Sequence, residues 1–527
     1  MNPGTSEMQF VSALDRVDGM RSVLCLFEGV CSGAADGYAR MRRRPAATLL
    51  HLGPGLGNAL SNLHNARKAR TPVVNIVGQH TTQHLRYDAP LTADIEAFAR
   101  PVSDWVRTLR RAHDMGADTV AAVRAACAPP GQVATLIVPA DFSWSSAGET
   151  GSASQPAVRR SPQAACVRGA ASILKSGGNV GLLLGGATLL APGLEAAGRL
   201  AAATVVRVFA DRNAARMERG SGRFAPLRLP YFPEPAEAAL AGLKHLILVE
   251  SLVPVSFFGY PERRSTLAPE DCEIHVLASI DENGAQALQE LAEECGAGSV
   301  SPPAQEASRA DFFAGLSDVG PLTPETIGLA LAAEMPEESI ISDEMISAGE
   351  AILQNLAAAR RYTHLPVTGG SIGQGLPVAL GAAVACPDRK VIALEGDGSA
   401  MYTLQSLWTM ARERLDVVVV ILSNRRYRIL EMETRRTGAG EIGPRANDMM
   451  DLTRPDLDWV KLAEGQGVPA CRAATGDQFI ARFREAANQP GPRLIEAVLG
   501  VSLADAESGA SLHVALLALR PDRRDRA

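Results

Sequence analysis

The chain has 527 residues, 46% hydrophobic and 21% charged, enough for about three domains of ordinary size with buried cores. Lys plus Arg is 52 against 58 Asp plus Glu, a formal charge of −6, and aromatic residues make up only 5%. That balance excludes the basic, ring-rich surface that nucleic acid requires and offers no attraction to an acidic membrane, so neither is expected as a partner.

The N-terminus, MNPGTSEMQF, has neither the basic nor the apolar region of a signal peptide. No apolar stretch reaches the roughly 18 residues of a membrane span. Eight cysteines are scattered without a CxxC pair, a pattern of free thiols in a reducing compartment. A cytoplasmic protein is expected.

Along the chain, short β-branched runs alternate with Gly-rich corners and Ala/Leu-rich helical stretches. The first block has SVLCLF (22–27), AATLLHL (46–52), PVVNIVG (72–78) and VATLIVP (133–139). A Ser/Gly/Ala/Pro-rich linker at 145–162 precedes NVGLLLGG (179–186), TVVRVFA (204–210), HLILVES (245–251) and EIHVLAS (273–279). A second linker at 296–312 precedes SIISDE (339–344), KVIALEGDG (390–398), DVVVVILSN (416–424) and RLIEAVL (493–499). Continuous apolar runs between helices imply parallel strands covered on both faces. The expected fold is therefore α/β with three domains (1–147, 163–295 and 323–505), each a central, mostly parallel sheet flanked by helices. A disordered tail is expected at 506–527.

One unit carries chemistry. KVIALEG (390–396) reads as a buried strand, YTLQSLWTMARER (402–414) as a helix, and DVVVVILSN as the next strand. Parallel strands in a βαβ unit end on one edge of the sheet, so Asp397 and Asn424 emerge side by side where open α/β sheets bind ligands. Both offer oxygen, which suits Mg²⁺, and Mg²⁺ completes its octahedron with phosphate oxygens. Gly396 and Gly398 let a diphosphate approach the backbone, with a helix starting near Ala400 to receive it. Taken alone, GDGS is a weak signal, more often just a tight turn; Asn424 at the end of the next strand is what strengthens the functional reading.

This GDG…N spacing resembles the motif of thiamine-diphosphate-dependent enzymes. LFEGVCSGAADGYARM (26–41) is similar to the segment carrying their activating glutamate. NPGTSE (2–7), HLGPGLGN (51–58), IVGQH (76–80) and GGSIGQGLP (369–377) match further segments in the same order. The resemblance runs from residue 2 to about 500 and points to the acetolactate synthase large-subunit and benzoylformate decarboxylase group.

It implies thiamine diphosphate and Mg²⁺ as cofactors, a 2-oxo acid as substrate, and a homodimer or homotetramer. Residues 1–147 would bind the pyrimidine side and 323–505 the diphosphate and metal, with a Rossmann-like middle domain between them. Asp397, Asn424 and the Arg426 carbonyl resemble the metal ligands, and Gly398, Ser399 and Ser347 the diphosphate contacts. Gly370 resembles the backbone partner of the pyrimidine, and Ile372 the apolar wedge that bends the cofactor. Glu28, at the end of the run Val23 to Phe27, matches the glutamate that hydrogen-bonds the pyrimidine N1′ and activates the cofactor. His51 matches a substrate-facing histidine of the decarboxylases, and Thr5 and Gln79 are further substrate-side candidates.

Two departures shape the expected reaction. The decarboxylases carry a second histidine near the segment here reading LVPVSFFGYP (252–261), but no His lies between 246 and 274, and Gly259 falls about where it would be. A proton donor is thus missing, which favours a carbon electrophile as acceptor. The acetolactate synthases bind FAD in the middle domain, but this block is compact and lacks GxGxxG, so FAD is not expected. The expected activity is decarboxylation with carboligation; the alternatives are a simple 2-oxo acid decarboxylase and a catalytically silent cofactor-binding homologue. In the family the NPGTSE-like loop follows a helix and a strand, so the first domain is expected to lack both, leaving unpaired groups at about 1–3 kcal/mol each and a less stable form.

Overall fold

Three sheets organise the described residues. The computed structural model describes residues 1–152, 157–304, 311–312 and 320–500; the expected tail and parts of both linkers lie outside them.

The first sheet holds β1 (Ala46–Leu50), β2 (Val73–Gln79), β3 (Trp105–Thr108) and β4 (Val133–Pro139), all parallel in the order β1-β2-β4-β3. Helices such as Leu52–Ala69 and Met115–Cys127 make the crossovers that parallel pairing requires. The expected strand at Val23–Phe27 does not form. Instead the segment hydrogen-bonds to the chain start and to a side chain: the Met1 ammonium donates to Val23 O at 2.7 Å, Cys25 N–H donates to Met1 O at 3.0 Å, and Thr409 Oγ1 donates to Leu24 O at 3.1 Å. Asn2 in turn bridges to Leu50, so Met1 and Asn2 lie between β1 and this segment. Two paired residues are too few for a ladder.

The middle stretch supplies β5 (Val180–Leu184), β6 (Arg207–Ala210), β7 (Met217–Arg219), β8 (Leu227–Arg228), β9 (His245–Val249) and β10 (Glu273–Ala278). All but β7 form a parallel sheet in the order β10-β9-β5-β6-β8. The third sheet contains β11 (Ser339–Glu344), β12 (Tyr362–Pro366), β13 (Val391–Gly396), β14 (Val417–Ser423), β15 (Ala470–Ala473) and β16 (Arg493–Val498). Its order is β15-β16-β14-β13-β11-β12-β7, so β7 leaves the middle stretch to pair antiparallel with β12. Every residue of β14 is buried, as a strand covered by helices on both faces demands. The α/β architecture with parallel sheets flanked by helices is as expected.

The first and third sheets are joined through two helices, Glu28–Arg42 and Gly375–Ala385, which meet at glycines. A Cβ on Gly37 would lie 2.1 Å from Val378 O, and one on Gly381 1.9 Å from Ala34 O. Only glycine permits that approach. Beside the contact, buried Arg40 grips Asp36 through Nε (2.8 Å) and Nη2 (2.5 Å) and donates to Pro366 O (2.9 Å) and Thr368 Oγ1 (3.0 Å). Two hydrogen-bonded arms satisfy the carboxylate, so the buried pair carries no unpaired charge.

Candidate active site

Asp397 and Asn424 follow directly on β13 and β14, neighbouring parallel strands in which Gly396 faces Leu422. They stand where strand direction in the sequence puts them. Asp397 is 3% exposed; its Oδ1 accepts from Gly398 N–H (2.9 Å) and its Oδ2 from Arg425 N–H (2.6 Å). Burial lifts its pKa to about 6 against those two amides. Asn424 Oδ1 accepts from Arg426 N–H at 3.0 Å, which draws Arg426 into the same turn. Asp397–Ala400 is a four-residue helical turn holding Gly398 and Ser399, and the longer helix starts only at Ser406. A Cβ on Gly398 would lie 2.4 Å from the Tyr427 ring, so the backbone here is open to a close neighbour only because the side chain is absent. Ser347 sits just beyond β11, which pairs with β13, and so belongs to the same sheet edge.

These residues fit a metal–diphosphate group. The donors are hard oxygens, and a dication would offset the burial that now raises Asp397.

Gly370 and Ile372 lie in the loop between β12 and the helix Gly375–Ala385. Gly370 has φ +77°, and a Cβ there would strike Phe257 at 2.3 Å. Side chains from Leu52–Ala69 hold the loop: Asn65 Nδ2 donates to Ser371 O (2.8 Å), and Asn62 Nδ2 donates to Gly373 O (3.1 Å) and Gly29 O (2.8 Å). One amide therefore ties this loop to the helix that begins at Glu28.

The sequence reading missed a second support. Glu344, the last residue of β11, accepts from Gly373 N–H and Gly375 N–H, both at 2.7 Å. Across the ladder it faces Glu395, whose carboxyl oxygens are buried without a partner. Burial pushes Glu344 up to about 7; burial and the neighbouring Glu344 charge lift Glu395 well above the usual carboxylate range. The pair therefore retains a proton at neutral pH. SDE and LEGDG carry this pair in the sequence, but only the ladder register brings the two together.

On the first sheet, Glu28 opens its helix rather than ending a strand, and it is 7% exposed. Its Oε1 accepts from Asn2 Nδ2 and its Oε2 from Asn58 Nδ2, each at 3.0 Å. His51 follows β1, and its Nδ1 is 2.8 Å from Glu7 Oε2, which also accepts from Gly4 N–H (2.8 Å). Glu7 is 4% exposed, and its Oε1 has no partner. It was not among the expected site residues, although NPGTSE contains it. Thr5 is exposed, one turn from His51's partner, while Gln79 ends β2 and accepts from His80 N–H through its own Oε1 (2.8 Å). His51, Glu7 and Gln79 thus gather at the C-terminal edge of the first sheet.

Among the described residues no helix is long and apolar enough to cross a membrane, and the eight cysteines carry free thiols.

The family described as "Thiamine pyrophosphate enzyme, C-terminal TPP binding domain" matches residues 349–497, and its N-terminal TPP binding domain counterpart matches residues 1–98. The chain is 50% identical over 503 residues to "Putative acetolactate synthase large subunit IlvX" of Mycobacterium tuberculosis, covering 94% of this chain and 95% of that protein. It is 29% identical over 523 residues to the benzoylformate decarboxylase of Pseudomonas aeruginosa, with 94% of each covered. The solved thiamine diphosphate-dependent 4-hydroxybenzoylformate decarboxylase of Rhodococcus jostii superposes with a TM-score of 0.81 at 26% identity, over 95% of this chain and 96% of that one. With Asp397 and Asn424 on adjacent strand ends and Glu28 buried at the start of its helix, the chain belongs to the thiamine-diphosphate-dependent enzymes of the acetolactate synthase and benzoylformate decarboxylase group.

Proposed function

We propose that the protein is a Mg²⁺- and thiamine-diphosphate-dependent enzyme that decarboxylates a 2-oxo acid and joins the resulting fragment to a second carbonyl compound. The observation that carries the cofactor side is the oxygen pair Asp397/Asn424 at adjacent strand ends. These two side chains and the Arg426 carbonyl would hold the metal, with Gly398, Ser399 and Ser347 at the diphosphate. Gly370 and Ile372 would meet the pyrimidine side. When bound, the cofactor supplies the electron sink for decarboxylation.

The chain's own contribution is geometry and proton control. Asn2 and Asn58 fix both oxygens of Glu28, so the carboxyl is held in one orientation to exchange a proton with a ring nitrogen. The loop 369–375 is clamped by Asn62, Asn65 and Glu344, which keeps its backbone in place without a ligand. Carboligation is favoured by the segment around Gly259, where no histidine stands to deliver a proton and a Cβ would meet nothing within 4 Å.

A specific observation favours a second reading. His51 is held by Glu7, an arrangement suited to passing a proton to substrate, and that would serve simple decarboxylation with aldehyde release. A panel of 2-oxo acids, aliphatic and aromatic, run with and without an acceptor aldehyde separates the two. Ligated hydroxyketone as the main product supports the first reading; free aldehyde with the acceptor untouched supports the second. No carbon dioxide from any member would overturn both.

A further inference from the structure

The N-terminal ends of β9 and β10, opposite in strand direction to the catalytic edge, hold a group of residues that the reaction does not use. His245 opens β9 and pairs in register with Glu273, which opens β10; His275 lies two residues along β10. Side chains two apart on a strand share a face, and the register brings the neighbouring strand's residue onto the same face. His245 Nδ1 is 3.1 Å from His275 Nε2, 3.6 Å from Glu273 Oε2, and the second pair closes at 3.7 Å between His275 Nε2 and Glu273 Oε2.

A point equidistant from three atoms so spaced lies about 2.0 Å from each, which is the bond length of zinc to imidazole nitrogen and carboxylate oxygen. The two imidazoles are half-buried and the carboxylate is exposed, so a coordination position remains open to water. We propose that His245, Glu273 and His275 form a binding site for a divalent transition-metal ion of the zinc class, distinct from the magnesium expected at Asp397. Two nitrogens and one oxygen suit zinc, nickel or copper far better than magnesium or calcium, which prefer oxygen throughout. Because β10 is the edge strand of its sheet, an ion bound here clips that edge to β9. Without an ion, the same geometry is a hydrogen bond between the two imidazoles.

The test uses the full chain, stripped with EDTA and re-equilibrated with thiamine diphosphate and excess Mg²⁺ so that the catalytic site is filled. Zn²⁺ is titrated against a chromophoric chelator, and Co²⁺ is added in parallel for its visible absorption. One Zn²⁺ per chain and a Co²⁺ spectrum of low coordination number are expected. Removing a group that merely supports a ligand weakens binding about 10–100-fold, so His275→Ala and Glu273→Gln should each weaken it by at least roughly tenfold. Zn²⁺ should also raise the melting temperature of the wild type and not that of His245→Ala/His275→Ala. Circular dichroism confirms that each variant is folded, and Glu273→Gln, on an exposed side chain, serves as the variant least able to disturb the sheet. No zinc bound by the wild type, or the same stoichiometry and affinity in Glu273→Gln and the double variant, would overturn the proposal.

Discussion

At the scale of single residues the site divides into charges that are held and charges that are waiting. Glu28 is held: two carboxamides fix its oxygens before any ligand arrives. Removing its acidity in Glu28→Gln keeps the shape, so cofactor binding should stay within a few-fold while turnover falls by about 10²–10⁴, the usual span of acid–base catalysis. Calorimetry paired with steady-state rates checks this, and wild-type turnover in the variant would exclude Glu28 from the role. Asp397 is waiting. Its buried carboxylate is raised to about 6 with only two amides as partners, so it gains most from a cation. Asp397→Ala should abolish Mg²⁺-dependent thiamine diphosphate binding and leave the fold intact, and an unchanged titration heat would contradict the metal assignment.

Among the elements, the helix pair Glu28–Arg42 and Gly375–Ala385 couples the two cofactor-binding halves, since one begins at Glu28 and the other follows the Gly370 loop. Its geometry depends on the absence of side chains at the crossing. Gly37→Ala places a methyl 2.1 Å from Val378 O, and the helices must separate to admit it. Overpacking of this kind destabilises by typically about 1–3 kcal/mol. Gly259→Ala is the matched control, because a Cβ there meets nothing within 4 Å, and its effect should stay within about 0.5 kcal/mol. Urea unfolding of the two variants side by side measures the difference; equal midpoints would show that the helices yield without resistance.

Across the whole molecule, stability is expected to carry a pH signature from the third sheet. His364 is fully buried, its Nε2 is 2.9 Å from Asp343 Oδ2, and its Nδ1 has no partner. Burial outweighs the pull of Asp343 and holds the imidazole down at about 4. The unfolded chain, with an ordinary histidine, binds the proton first, so this residue's contribution is complete above about pH 6.5 and is lost as pH falls towards 4. A tenfold difference in proton affinity between the folded and unfolded chain corresponds to about 1.4 kcal/mol. His364→Gln should therefore flatten the decline of melting temperature between pH 6.5 and 4 relative to wild type. Parallel curves would show that His364 does not titrate there. Assembly is the other whole-molecule expectation. The family resemblance implies that Glu28 of one chain serves the cofactor held by a partner chain, and light scattering of the active enzyme should show a dimer or tetramer, never a working monomer.

What the sequence determined by itself was local and periodic. Runs such as VVVVILS and VIALEG are apolar enough to be strands in almost any setting, and GDGS followed by Asn424 places its oxygens through strand direction alone. Tertiary structure decided what depends on partners. Val23–Phe27 has the composition of a strand, but its backbone hydrogen-bonds to Met1 and to the Thr409 side chain rather than to a neighbouring strand, and Glu28 starts a helix. The short strands WVRT and MER carry too little apolar pattern to be seen in the sequence, and β7 joins a sheet far from its chain neighbours because the β12 edge is open to it. Glu7 beside His51, Glu395 beside Glu344, and His245 beside His275 are separated by 44, 51 and 30 residues. Each pairing is set by strand register and loop closure, and no local pattern of charge or hydropathy encodes a distance of that kind.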